Sequence, residues 1–79
     1  RIVTFQILLK DEPGVLSSAL NIFAQSGGNI LTIHQAIPAN GCAAVTIGAE
    51  TSGLEISMEE LLARALGVEG VLRCEILAG

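Results

Sequence analysis

Apolar residues in this chain alternate between the period of a strand and the period of a helix, and that alternation constrains the fold more than any other feature. Over residues 2–9 they recur at every second position. Val3, Phe5, Ile7 and Leu9 share one face, and Thr4 and Gln6 lie between Ile2 and Leu8 on the other, as in a half-buried strand. Lys10-Asp11-Glu12-Pro13-Gly14 breaks the strand. Over residues 15–26 the spacing becomes three to four, with Leu16, Ala19, Leu20 and Phe23 on one stripe and Gly27-Gly28 as the stop. Pro13 suits the first helical turn, where its missing N–H costs nothing.

The strand period returns over residues 30–37, with Leu31, Ile33 and Ile37 expected on one face and Thr32 and His34 on the other. Pro38-Ala39-Asn40-Gly41 reads as a hairpin turn, because Asn-Gly tolerates positive φ, and residues 42–49 follow as the return strand. A second helix opens on Ser57-Met58-Glu59-Glu60, which fits a capping box: hydroxyl at the N-cap, carboxylate three residues later. Ile56 and Leu61 flank it as a hydrophobic staple. Leu61, Leu62, Ala65 and Leu66 form its expected buried stripe, and Gly67 ends it. The last strand, residues 71–77, sets Leu72, Cys74 and Ile76 against Arg73 and Glu75.

The order β-α-β-β-α-β with right-handed crossovers puts both helices on one side of the sheet. The expected fold is therefore α+β, a ferredoxin-like βαββαβ sandwich: four antiparallel strands, two helices on one face, a polar open face on the other. Its 79 residues make a single domain. The chain starts inside a strand and without methionine, so we expect residues 1–79 to be one domain excised from a longer protein.

This fold hosts many activities, so function is read from residues. Eight acids against four bases give a net charge of -4, which argues against nucleic acid and anionic membranes as partners of this domain. No apolar run reaches the roughly 18–20 residues of a membrane span, no stretch reads as a signal peptide, and the expected location is the cytoplasm. Cys42 and Cys74, with one histidine and no CxxC, make no zinc framework; no metal or cofactor is expected. A small phosphatase of this fold would need a cationic first loop, and here that loop carries Asp11 and Glu12. A soft-metal chaperone would need two cysteines there. An RNA-binding sheet would show aromatics on its open face, and Phe5 and Phe23 both follow the core pattern. His34 sits mid-strand with no nucleophile near it in sequence, so no catalytic residues are assigned.

The loop after the first strand carries the remaining signal. Asp11 can cap the following helix. Gly14, lacking Cβ, allows close approach to the backbone. The first-turn N–H groups can receive a carboxylate. Asn29, opening the second strand, offers an amide donor and acceptor. An amino acid's carboxylate would go to the helix start, its ammonium to Asp11, to the Asn29 oxygen or to backbone carbonyls. The same residues also read as ordinary helix-start and helix-stop turns.

Asp11-x-Pro13-Gly14-Val15-Leu16 followed by Gly28-Asn29-Ile30 in a βαββαβ frame resembles an ACT domain, and the likeness covers essentially the whole chain. Residues 26–33, with Gln35, Ile37-Pro38, Val45-Thr46-Ile47, Thr51-Ser52-Gly53, Glu55-Ile56 and Glu60-Leu61-Leu62, are similar to the small PheB-like ACT proteins historically labelled chorismate mutase subunits. The resemblance implies a non-catalytic regulatory domain acting as a homodimer in aromatic amino-acid metabolism. It implies that an amino acid, phenylalanine by first choice, binds where the loop of one chain meets the second strand of its partner. Carried over residue by residue, the ligand-binding candidates are Asp11, Pro13, Gly14, Val15 and Leu16 with Asn29 and Ile30. It also implies an N-terminal helical segment in the longer protein. Two alternatives stand beside this reading: a structural dimerisation module without ligand, and a mutase. A dianionic mutase substrate wants several arginines, whereas Arg1, Arg64 and Arg73 all fall outside the candidate site.

Overall fold

The computed structural model describes residues 1–79. The elements are β1 (Ile2–Lys10), α1 (Val15–Gln25), β2 (Asn29–Gln35), β3 (Cys42–Glu50), α2 (Met58–Leu66) and β4 (Val71–Ala78). The four strands form one sheet in the order β2-β3-β1-β4, with every neighbouring pair antiparallel. This is the expected ferredoxin-like sandwich.

The core lies between the sheet and the helices. Val3, Phe5, Ile7 and Leu9 of β1 meet Ala43, Val45, Ile47 and Ala49 of β3, and α1 adds Ala19 and Phe23, α2 Leu61 and Ala65. Phe5 and Phe23 pack edge to face, centroids 5.0 Å apart at 78°, an arrangement the ring quadrupoles favour. The hairpin turn between β2 and β3 is closed by reciprocal Ala39–Cys42 hydrogen bonds of 2.9 and 3.0 Å, with Asn40 and Gly41 both at positive φ. Both cysteines are free thiols, Cys42 half-buried and Cys74 buried.

The departures from expectation cluster on the edge strands. A bulge at Leu31 shifts the register of β2, so Ile30 opposes Ala49 and Ile33 opposes Ile47 on the helix-side face, while Thr32 and His34 face the other way. Leu31 is the extra residue of the bulge and has no partner on β3. β2 also stops at Gln35, leaving Ile37 92% exposed in the connection. In β4 a register shift beside Leu72 pairs Val71 with Leu9, Arg73 with Leu8 and Cys74 with Ile7. The buried face of β4 is thus Val71 and Cys74, not Leu72 and Cys74.

The helices hold smaller corrections. On α1 the fully buried residues are Val15, Ala19 and Phe23, with Leu16 and Leu20 half-buried beside them. On α2 Leu66 lies outside the buried stripe, 47% exposed. The capping box closes on one side only. Ser57 Oγ accepts from the Glu60 N–H at 3.0 Å, but the Glu60 carboxylate turns forward to accept from Arg64 Nε at 3.0 Å.

Candidate functional site

β1 delivers the loop 11–14 to one end of the sheet, and backbone hydrogen bonds fix it there. The Lys10 N–H donates to the Gly70 carbonyl at 2.8 Å and the Asp11 N–H to the Gly41 carbonyl at 2.9 Å. The loop is thereby held between the α2–β4 connection and the hairpin turn. The Glu12 carbonyl accepts from the Val15 N–H at 3.3 Å, and Gly14, at φ +86°, turns the chain into α1. Its carbonyl then accepts from the Ser18 N–H and Ser17 Oγ, at 3.0 and 3.1 Å.

No side chain caps α1. Asp11 was expected to do so, but the left-handed Gly14 occupies the N-cap and Asp11 is exposed one turn of chain away. The N–H groups of Leu16 and Ser17 consequently have no protein acceptor. Such groups carry the positive end of the helix dipole and attract a carboxylate.

Beside them is a concavity of about 290 Å³. It is lined by Glu12, Pro13, Gly14 and Val15 of the loop and helix start, by Ser18 one turn on, and by Val68 and Glu69 of the α2–β4 connection. Three of the seven sequence-derived site residues, Pro13, Gly14 and Val15, line it. Asp11 does not, and Leu16 packs against the core instead.

Asn29 and Ile30 lie elsewhere in the chain's own structure. Asn29 opposes Glu50, which opposes Ile2 at the start of β1, whereas the loop follows Lys10 at its end. At roughly 3.3 Å per residue, eight steps of β1 separate the two places by roughly 26 Å. One protomer does not bring them together.

Glu69 and Val68 were not singled out from sequence, because only packing carries them to the loop. Two further concavities are present: about 280 Å³ beside the termini, lined by Arg1, Val3, Thr51, Met58, Ile76 and Gly79, and about 100 Å³ on the open face around Arg73 and Glu75. Near the first, the Glu50 carboxylate accepts from the Ser52 N–H at 2.6 Å. No group of three or more His, Cys, Asp or Glu side chains is placed to hold a metal ion. His34 lies exposed opposite Thr46 on the open face, and no helix is long and apolar enough to cross a membrane.

Sheet order, paired helices and an uncapped helix start beside a small concavity place the chain in the ferredoxin-like α+β class that carries sites on its connecting loops. Within that class, residues 3–66 match the ACT domain family model, and the chain belongs to the ACT domain family, whose members are regulatory amino-acid-binding modules. It is 47% identical over 77 residues to a UPF0735 ACT domain-containing protein of Shouchella clausii, covering 98% of this chain and 52% of the relative. It is 43% identical over 77 residues to one of Caldanaerobacter subterraneus subsp. tengcongensis, covering 98% and 53%. The chain thus spans about half the length of these curated relatives.

Two solved structures share the fold. One is the ACT domain of the GTP pyrophosphokinase of Chlorobium tepidum, with a TM-score of 0.73 at 18% identity over 96% of each chain. The other is the acetolactate synthase small subunit of Thermotoga maritima, with a TM-score of 0.77 at 23% identity over 96% of this chain and 47% of that one.

Proposed function

We propose that this domain is a non-catalytic amino-acid sensor that works as a cytoplasmic homodimer, with each ligand held between the β1–α1 loop of one protomer and the start of β2 of the other. The observation that carries the reading is the placement of the two half-sites at opposite ends of the sheet. Two-fold antiparallel pairing through β2 reverses the partner's strand. The partner's Asn29 then comes to the same end of the extended sheet as the loop. β2 suits that role: it is an edge strand, and its sequence NILTIHQ holds no Asp, Glu, Lys or Arg and no proline. The β4 edge, by contrast, carries Arg73 and Glu75.

The ligand's carboxylate sits on the free N–H groups of Leu16 and Ser17, and Gly14 admits it without a Cβ in the way. Asp11, Val15, Leu16 and Ile30 shape the surroundings. The concavity of about 290 Å³ is at the small end of ligand sites, which suits an amino acid. Likeness to the PheB-like proteins makes phenylalanine the first probe. Occupancy favours one dimer geometry and so biases whatever the domain is attached to in the full-length protein.

Calorimetric titration with the twenty amino acids tests this. Saturable binding that weakens by roughly 1–3 kcal/mol in Asn29→Ala, the scale for losing a partner of a charged group, supports it. Silence across the panel from a protein that still dimerises in sedimentation rejects it. That result would favour the second reading, a ligand-free assembly module, which the exposed Leu31 and Ile33 on β2 also suit.

A further inference from the structure

We infer that the two β2 strands of the dimer pair about a two-fold axis at His34, so that the imidazole of one protomer faces the partner's His34 on the open side of the sheet, and that protonating this pair opens the dimer and the shared site with it. The inference rests on the side-by-side pairing proposed above and adds to it a register and a means of control.

Hydrogen bonding to β3 fixes which residues of β2 can pair outward. Pairing continues one residue past the strand, where the Ala36 N–H donates to the Ala44 carbonyl at 2.9 Å. Bonded pairs alternate along an antiparallel ladder. His34 with Thr46 and Thr32 with Gly48 therefore also bond inward, while Ile33 and Gln35 turn their N–H and C=O groups to the free edge. The bulge at Leu31 ends the regular stretch at Thr32, so that stretch runs from Thr32 to Ala36 and its centre is His34. Pairing about His34 sets Ile33 opposite the partner's Gln35, and both outward-facing residues find partners.

The same register completes the shared site. His34 is level with Thr46, and Asn29 is level with Glu50, four residues further along β3. A two-fold axis at His34 carries the partner's Asn29 to the row four residues the other way, that of Cys42. Cys42 opposes Lys10, the last residue of β1, where the ligand loop begins. An axis at Ile33 or Thr32 would leave the partner's Asn29 at the row of Ala44 or Thr46, two or four residues short of the loop.

Nothing near the pair offsets a positive charge. The row of His34 continues across the open face through Thr46 and Gln6 to Glu75. Thr32 and Ala36 flank His34 on its own strand, and Gly48 and Ala44 flank Thr46. The nearest charged groups on that face are Glu75, three strands away, and Glu50, four residues along β3, each roughly 14 Å off. Two imidazolium rings facing one another there repel without compensation. The dimer thus takes up protons less readily than the separate chains, and it weakens as pH falls through the range in which histidine gains its charge.

Cysteine bridging tests the register. Under mild oxidation His34→Cys is expected to form an interchain disulfide, mapped to the new thiols by peptide mass, and Thr32→Cys is not. The facing Cα atoms of a non-bonded pair stand roughly 4.5 Å apart, within the span of such a bond. A bridge in Thr32→Cys alone, or only when the two variants are mixed, moves the axis to Thr32 or Ile33 and overturns the register while keeping the pairing. No bridge in any of the three samples overturns the pairing itself. Sedimentation tests the switch. The dimer dissociation constant of the wild type is expected to rise roughly tenfold or more between about pH 7 and about pH 5. His34→Gln, which removes the only histidine of the chain, is expected to hold a steady value. A wild-type constant that does not move, or the same shift in His34→Gln, overturns the role of His34.

Discussion

Gly70→Ala measures how firmly the α2–β4 turn is held against the ligand loop. Two costs apply. The first is conformational, because φ at this position is +96°, a region that costs an L-residue about 1–2 kcal/mol. The second is steric. The new Cβ would stand 2.7 and 2.9 Å from the Val15 methyl carbons and 3.4 Å from its Cβ, and Val15 is 7% exposed with core on its other side. Overpacking of this kind costs typically 1–3 kcal/mol.

Gly14→Ala separates the two costs. Gly14 has nearly the same φ, +86°, but nothing lies within 4 Å of its would-be Cβ, so only the conformational cost applies. We expect Gly14→Ala to lose about 1–2 kcal/mol and Gly70→Ala about 2–5 kcal/mol. A chain of this length has roughly 4–12 kcal/mol in total, so the second loss is a large share. In urea, where the slope is about 1 kcal/mol/M, the midpoint falls by about 1–2 M in the first variant and about 2–5 M in the second. Two midpoints within experimental error of each other would show that Val15 moves aside freely. The Gly70 contact would then not be what holds the turn against the loop.

Ser57→Ala removes the one side-chain cap in the molecule and should cost about 1 kcal/mol by urea unfolding, whereas an unchanged midpoint would mean the α2 start is held by packing alone. Burial, with Glu75 adding to it, pushes the Cys74 thiol up to about 11. Iodoacetamide at pH near 8 should therefore label Cys42 well before Cys74, as read by peptide mass, and equal rates would contradict the buried placement of Cys74.

What could be read in the sequence was whatever is decided within a few residues. The Ser57 cap, the Asn40-Gly41 turn and the β1 alternation are local choices of side chain and φ, and all appear where their residues put them. The departures from regular pairing at Leu31 and Leu72 have a common cause. A bulge is set by how an edge strand meets its single neighbour, and nothing in strict alternation marks the extra residue. Leu66 was misassigned because a stripe at helical spacing does not say how wide a face the sheet covers. Pro13 and Gly14 stand out in the sequence through turn chemistry and Val15 through the family resemblance, and the structure gathers all three around one concavity. Asp11 was misread as a cap because Gly14, three residues on, adopts the left-handed conformation that starts the helix without one. That the α2–β4 turn reaches the start of α1 needed tertiary information, the contact of Gly70 with Val15.

The central claim, a ligand shared between two chains, is tested most directly by mixing two disabled proteins. Gly14→Val spoils the loop half-site and keeps Asn29; Asn29→Ala does the reverse. After subunit exchange, each mixed dimer contains one site built from two intact halves and one from two damaged halves. The account predicts that neither variant alone binds phenylalanine at wild-type strength and that the equimolar mixture recovers about one quarter of the wild-type sites at full affinity. No recovery, in a mixture shown to exchange subunits by native mass spectrometry, would contradict a site formed across the dimer.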